Sequence, residues 1–363
     1  MRLALIASLV SPIREPQCGG AQAFLSDLAA GLARRGHEVD VFAASGSEID
    51  GVRCVDVGVE ASTLQGFLYH AESAPPVDNS AFDAAYARVF DAVAERSYDV
   101  VHNHAFDAPA IRRAVDVDAP VIHTMHLPPE TSVVRALRDA SEAFNRPVIA
   151  TVSRAQAQTW REVVNIDLVL PVGIPTARIP WSATPGSGVV FAGRFSPEKG
   201  AAEAIGVARS AGMPIDLYGD AYDDGYAERA VHIEDGRPGV TVHPAVPRPV
   251  LWDVIAGAAA VLCPVGWDEP FGLVAAEAQA CATPVVAFRR GGLEEVLLDG
   301  VTGFLVAPGD IAAAAATLGR LGSIERTACR QHAEAHLDIE SALDAHERAY
   351  QGMLRAGAAA ARG

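Results

Sequence analysis

Short apolar runs alternate with longer amphipathic stretches along nearly the whole chain. In the first half, Leu3–Val10, Val39–Ala44, Val52–Val57, Asp99–His104, Pro120–His126 and Val148–Ser153 read as strands, because short apolar runs bounded by turn residues fit buried strands. Between them, Ala21–Arg34 sets Phe24, Leu25, Leu28 and Leu32 at helical spacing, and Ala81–Glu95 does the same with Phe82, Tyr86, Val89, Phe90 and Val93. Apolar strands interleaved with helices predict a parallel sheet covered on both faces.

The pattern breaks at the proline-rich stretch 170–180 and the small, polar Ser182–Gly188, which read as a linker. A second alternation follows, with strands at Val189–Arg194, Ile215–Gly219, Val240–His243, Ala260–Val265, Pro284–Phe288 and Phe304–Val306. The chain therefore reads as α/β with two doubly wound domains, 1–175 and 176–340, and a C-terminal helix, 341–363, that returns to the first.

Length and composition agree: 363 residues at 50% hydrophobic content suffice for two cores. With 29 basic against 45 acidic residues, the net charge of −16 argues against nucleic acid as a partner, since a phosphate backbone demands clustered cations. The five cysteines stand singly, without C-x-x-C spacing, which fits a reducing cytosol. No apolar run approaches the ~20 residues of a membrane-spanning helix, and Met1–Val10 reads as the first strand, not a signal peptide.

Candidate chemistry gathers at a few strand ends. In Gly266–Glu277, Glu269 and Glu277 flank the start of a helix expected to be entered at Pro270, a residue suited to the first helical position. Gly193–Gly200 follows the first strand of the second domain, and its Arg194 and Lys199 read either as surface cations or, beside a helix N-terminus, as a diphosphate site. Cys18-Gly19-Gly20-Ala21-Gln22 is a turn or a place for close ligand approach, and the G-x-G-x-x-G fingerprint is absent. His102, His104, His123 and His126 end two strands, with Asp107 as a nearby carboxylate; they line a cleft and satisfy local backbone, or hold a metal. Asp220–Asp224 is a solvated loop or a second acidic metal-like cluster.

Taken together and in order, G-R-x-x-x-x-K-G, E-P-F-G-L with a second Glu eight positions on, Thr283-Pro284-Val285-Val286 and Gly291-Gly292 resemble the retaining family 4 glycosyltransferases over nearly the whole chain. The resemblance implies the GT-B fold, two facing Rossmann-like domains with the active-site cleft between them. It implies that Arg194 and Lys199 bind the donor diphosphate. Glu269 would contact donor-sugar hydroxyls, with the amides of Phe271, Gly272 and Leu273 facing sugar and phosphate, and Glu277 would hold the ribose. His126 would lean toward the donor sugar, while Gly19, Gly20 and Gln22 would form the loop that approaches phosphate and acceptor. Neither a metal nor a dedicated general base is implied.

The expected activity is retaining transfer of a sugar from a nucleoside-diphosphate sugar, UDP-linked, to a hydroxyl of a small-molecule, glycan or lipid-linked acceptor in the cytoplasm. Alternatives are a GT-B sugar-nucleotide epimerase, a phosphorylase, or a non-catalytic nucleotide-sugar-binding protein. Ala282, Val265–Asp268 and Val172–Pro175 depart from the family pattern and leave the donor's identity open. The acceptor would be chosen by loops around 60–78 and 128–145, where Phe67, Tyr69 and Phe144 are acceptor contacts or core. Arg135 and Arg138, on one helix face, are the only hint of loose membrane association.

Overall fold

The computed structural model describes residues 1–64, 80–143 and 146–360. Phe67, Tyr69 and Phe144 lie outside the described residues.

The chain divides into two compact units. Unit 1 comprises Met1–Arg14, Ala21–Val172 and Ile339–Gly363; unit 2 comprises Glu15–Gly20 and Gly173–Asp338.

Unit 1 carries β1 (Arg2–Ile6), β2 (Glu38–Ala43), β3 (Arg53–Asp56), β4 (Val100–Asn103), β5 (Val121–Met125), β6 (Val148–Thr151) and β7 (Leu168–Val169). They form one parallel sheet in the order β3-β2-β1-β4-β5-β6-β7. The edge strand β7 was not anticipated, since two residues are too few to show a period. Ala4, Ile6, Phe42 and Val101 pack with Phe82, Tyr86, Val89 and Phe90 of the helix Ser80–Ala94, whose apolar spacing was legible. Met125 and Ile149 pack with Leu137, Ala157 and Trp160.

The helix Ile339–Ala360 belongs to unit 1. It is seated by shape at Gly31, where a Cβ would stand 2.6 Å from Leu343 Cδ1. Charge adds to this, Arg35 pairing with Glu340, Asp344 and Glu347, and His37 hydrogen-bonds Glu347 at 2.7 Å. Tyr350, fully buried, hydrogen-bonds His102 on β4 at 2.7 Å.

Unit 2 carries β8 (Val189–Ala192), β9 (Ile215–Tyr218), β10 (Val240–His243), β11 (Ala260–Cys263), β12 (Val285–Phe288) and β13 (Gly303–Val306). Its sheet is again parallel, in the order β10-β9-β8-β11-β12-β13. That is the Rossmann order, and the direction of winding reverses between β8 and β11. The crevice beyond the carboxyl ends of those two strands is where such a sheet accepts a ligand.

Candidate active site

The loops that leave β8 and β11 are laced together by backbone. Pro197–Lys199 make one turn of 3-10 helix, and Gly200 then adopts φ +78° before the helix Ala201–Ala211. Only glycine serves at 200, because a Cβ there would lie 2.1 Å from the Pro264 carbonyl oxygen at the exit of β11. The Gly266 N–H donates to the Glu198 carbonyl at 2.9 Å. Residues on the two loops are thereby fixed relative to one another.

On this frame the Lys199 ammonium donates to both oxygens of Glu269, at 3.0 and 2.8 Å. Trp267 serves both partners: its indole N–H donates to Glu269 Oε2 at 2.8 Å, and its ring centroid lies 4.8 Å from Lys199 Nζ. Arg194 is held in a parallel way. Its guanidinium meets Glu198 at 3.2 Å, Ser196 Oγ fixes the same carboxylate oxygen at 2.6 Å, and the Tyr222 ring lies 4.7 Å from the guanidinium carbon. Beneath the Lys199–Glu269 pair, burial and then the Glu269 charge push the Cys263 thiol up to about 12, so at neutral pH it is protonated and a poor nucleophile.

The other wall is the start of the helix Leu273–Ala280. It begins three residues later than Pro270, correcting the expected entry: Gly272 caps it at φ +101°, a conformation that places proline outside the helix. Glu277 consequently sits about one turn inside the helix. Gly291 and Gly292 allow the next loop to lie against Asp268–Phe271, since a Cβ on Gly291 would stand 2.4 Å from the Glu269 carbonyl oxygen and one on Gly292 2.6 Å from that of Pro270. The Gly292 N–H closes the contact on the Glu269 carbonyl at 2.6 Å. Gly20 approaches this wall, with Leu273 Cβ 3.5 Å from where its own Cβ would be. Cys18 and Gly20 are exposed and Gly19 half-buried.

Glu277 is buried against Arg248, whose guanidinium reaches Glu277 Oε1 at 2.7–2.8 Å and whose backbone N–H donates to Glu15 Oε2 at 3.0 Å. Arg248 packs on Trp252, 5.1 Å from the ring centroid.

Gln22 and His126 belong to unit 1. Gln22 is buried and donates to Ser11 Oγ at 3.0 Å. His126 Nε2 meets His104 Nδ1 at 2.9 Å, and the two rings stack. The His104 ring lies tilted by 33° against that of His102, with centroids 3.9 Å apart, and His346 lies 5.6 Å from His102. The expectation that the remaining histidines satisfy local backbone is corrected: His102 bonds Tyr350 and Thr124, and His123 bonds Asn103, all side chains. Burial drives His123 and His126 down to about 3 and His346 to about 4, so these rings are neutral. Asp107 partners none of them; it accepts from Tyr86 and Ser8, and burial raises its carboxyl to about 6.

Among the described residues, no group of three or more His, Cys, Asp or Glu side chains is placed to hold a metal ion. Asp220, from the acidic loop, caps the Ala245 N–H instead. Sequence reasoning overlooked Glu198, Tyr222, Arg248 and Trp267. Trp267, Glu198 and Tyr222 lie inside stretches singled out in the sequence, Tyr222 within the acidic run Asp220–Asp224, whereas Arg248 reaches the site only through the fold.

Two family models divide the chain: "Glycosyltransferase Family 4" over residues 18–178 and "Glycosyl transferases group 1" over 184–336. The chain is 32% identical to a D-inositol 3-phosphate glycosyltransferase of Acidothermus cellulolyticus, over 88% of this chain and 82% of that one. It is 30% identical to the protein of the same name from Xylanimonas cellulosilytica, over 88% of each. Among solved structures, sucrose-phosphate synthase of Thermosynechococcus elongatus superposes with TM-score 0.78 at 20% identity, covering 98% of this chain and 99% of that one. Anabaena HepE, solved with UDP and glucose, gives 0.74 at 18%, covering 97% and 99%. No helix among the described residues is long and apolar enough to cross a membrane. Two parallel Rossmann-like sheets, two matching family models and relatives of 30% identity or more place this chain among the GT-B-fold glycosyltransferases of the family 4 type.

Proposed function

We propose that the protein transfers a sugar, with retention of anomeric configuration and without a metal, from a UDP-linked donor to an acceptor hydroxyl. The observation that carries this reading is the placement of Arg194, Lys199 and Glu269 on the two loops that leave the switch-point strands β8 and β11.

Departure of the nucleotide breaks the bond between the anomeric carbon and the diphosphate, leaving positive charge on the carbon and negative charge on the phosphates. Two fixed cations and the first N–H groups of the helix Leu273–Ala280 answer that negative charge. Glu269 accepts sugar hydroxyls, and Glu277, braced by Arg248, holds the ribose. His126, assigned to the sugar by the family resemblance, is a neutral imidazole. The acceptor oxygen forms the new bond on the face that the diphosphate leaves, and its proton passes to a diphosphate oxygen. The relatives named for D-inositol 3-phosphate make a polyol phosphate the first acceptor to try.

The test is product analysis by proton NMR after incubation with UDP-sugars and candidate acceptors, with and without EDTA. A new glycosidic bond of the donor's anomeric configuration, formed equally fast in EDTA, is the expected result. Inversion overturns retention, loss of rate in EDTA overturns metal independence, and near-normal activity in both Glu269→Ala and Lys199→Ala overturns the site.

A further inference from the structure

Arg194 and Lys199 are each held from two sides by groups of different kinds. One side is a carboxylate, Glu198 for Arg194 and Glu269 for Lys199, at 3.2 and 2.8 Å. The other is an aromatic face, Tyr222 for Arg194 and Trp267 for Lys199, at 4.7 and 4.8 Å from the ring centroids. The duplication is structural as well as chemical. Tyr222 sits in a loop bound to the Arg194 loop, because the Phe195 N–H donates to the Asp220 carbonyl at 2.9 Å and Phe195 bridges Ala221. Trp267 is buried and sits on the loop whose Gly266 N–H binds the Glu198 carbonyl.

A diphosphate competes with the two carboxylates for the same donors, since all are anions that accept charge-assisted hydrogen bonds. It does not compete with the rings, which attract a cation over a face and not along an N–H axis. We propose that Tyr222 and Trp267 are positioning residues that keep Arg194 and Lys199 in place while the carboxylates beside them give way to the donor diphosphate.

Trp267 has a second part in the exchange. As Lys199 turns from Glu269 to phosphate, the indole N–H still holds Glu269 Oε2, leaving Oε1 oriented for a sugar hydroxyl. Phosphate enters on the lysine and sugar on the glutamate, with one side chain steadying both. The inference rests on the donor reading given above.

The test compares Tyr222→Phe and Trp267→Phe, which keep a ring, with Tyr222→Leu and Trp267→Leu, which do not, in calorimetric titrations of UDP and UDP-glucose. Both phenylalanine variants are expected to bind UDP within about twofold of wild type, and both leucine variants about three- to tenfold more weakly. Trp267→Phe lacks the N–H that holds Glu269, so it should lose affinity for UDP-glucose beyond any loss for UDP. Wild-type UDP affinity in both leucine variants overturns the proposal.

A readout in the free protein separates this idea from the donor reading. The Arg194 Nε–H resonance should carry a ring-current shift that Tyr222→Phe retains and Tyr222→Leu abolishes, and an unchanged resonance in the leucine variant overturns the proposal. If wild type binds neither UDP nor UDP-glucose, the donor reading falls and this resonance alone judges whether the ring seats the cation.

Discussion

Arg248 and Glu277 form an ion pair 2.7 Å long that is almost wholly withdrawn from water. Removing one partner strands the other as an uncompensated buried charge, which costs about 3–5 kcal/mol, whereas replacing both by apolar side chains can be close to neutral. Arg248→Met should therefore lower the unfolding free energy by that order in urea titrations. Arg248→Met with Glu277→Leu should recover most of it. A single variant within about 1 kcal/mol of wild type would show that the pair contributes little.

The Lys199–Glu269 pair should behave differently. Both side chains reach solvent on one side, and Glu269 keeps the Trp267 N–H when the lysine is removed. Lys199→Met is expected to cost less unfolding free energy than Arg248→Met, on the order of 1–2 kcal/mol. Transfer should fall on the order of 100-fold or more, because a preorganised charge facing the leaving group is lost. Equal losses of stability and activity would make Lys199 a structural residue.

Gly200 and Gly309 share nearly the same φ, +78° and +79°, and differ in surroundings. A methyl group at 309 meets nothing within 4 Å, whereas at 200 it drives into the Pro264 carbonyl. Gly309→Ala should cost about 1–2 kcal/mol for the left-handed conformation alone. Gly200→Ala should cost clearly more and, by moving Lys199, should also cut turnover. Equal thermal shifts for the two variants would refute the contact.

Acid should loosen unit 1. Its buried histidines, His102, His104, His123, His126 and His346, all have their protonation suppressed by burial, while in the unfolded chain they titrate near 6.5. With the folded value depressed, the unfolded state binds more protons on acidification. The stability these rings contribute is whole above about pH 6.5 and is lost as pH falls toward 3–4, at about 1.4 kcal/mol per unit for each ring. Asp107, raised to about 6, acts in the opposite sense, its contribution present below 3.8 and lost as pH rises through 6, but it is one group against five. Hydrogen-exchange protection factors in β4 and β5, each taken relative to the intrinsic amide rate at the same pH, should fall between pH 7 and 5, less so in His346→Gln; protection factors independent of pH would contradict the burial.

Much of the fold was legible because buried parallel strands announce themselves as continuous apolar runs, and twelve of the thirteen strands among the described residues overlap such a run. The exception, β7, has two residues. The pairing of Lys199 with Glu269 was foreshadowed by their motifs, since each lies just after an apolar strand. The helix entry at Gly272 was misplaced because proline at 270 and glycine at 272 both signal a helix start, and the contact with Leu293 that favours the glycine is not local. Arg248 was invisible for a related reason: it meets Glu277 29 positions further along the chain, with no pattern around it that reports the encounter. Tyr222 lies inside the acidic run 220–224, where only the carboxylates drew notice, and its partner Arg194 stands on the loop of another strand.

The helix Ile339–Ala360 belongs with residues made more than 160 positions earlier, Val172 being the last of unit 1 before it. On the ribosome, the sheet of unit 1 emerges first yet lacks the partner of His102 and the counterpart of Gly31 until the helix Ile339–Ala360 appears, by which point every described strand of unit 2 has already been made. The later-made unit can therefore close first, and the earlier one must wait with its histidine stack open to water. Loss of the last helix should accordingly be felt as a fault in the first-synthesised half of the chain.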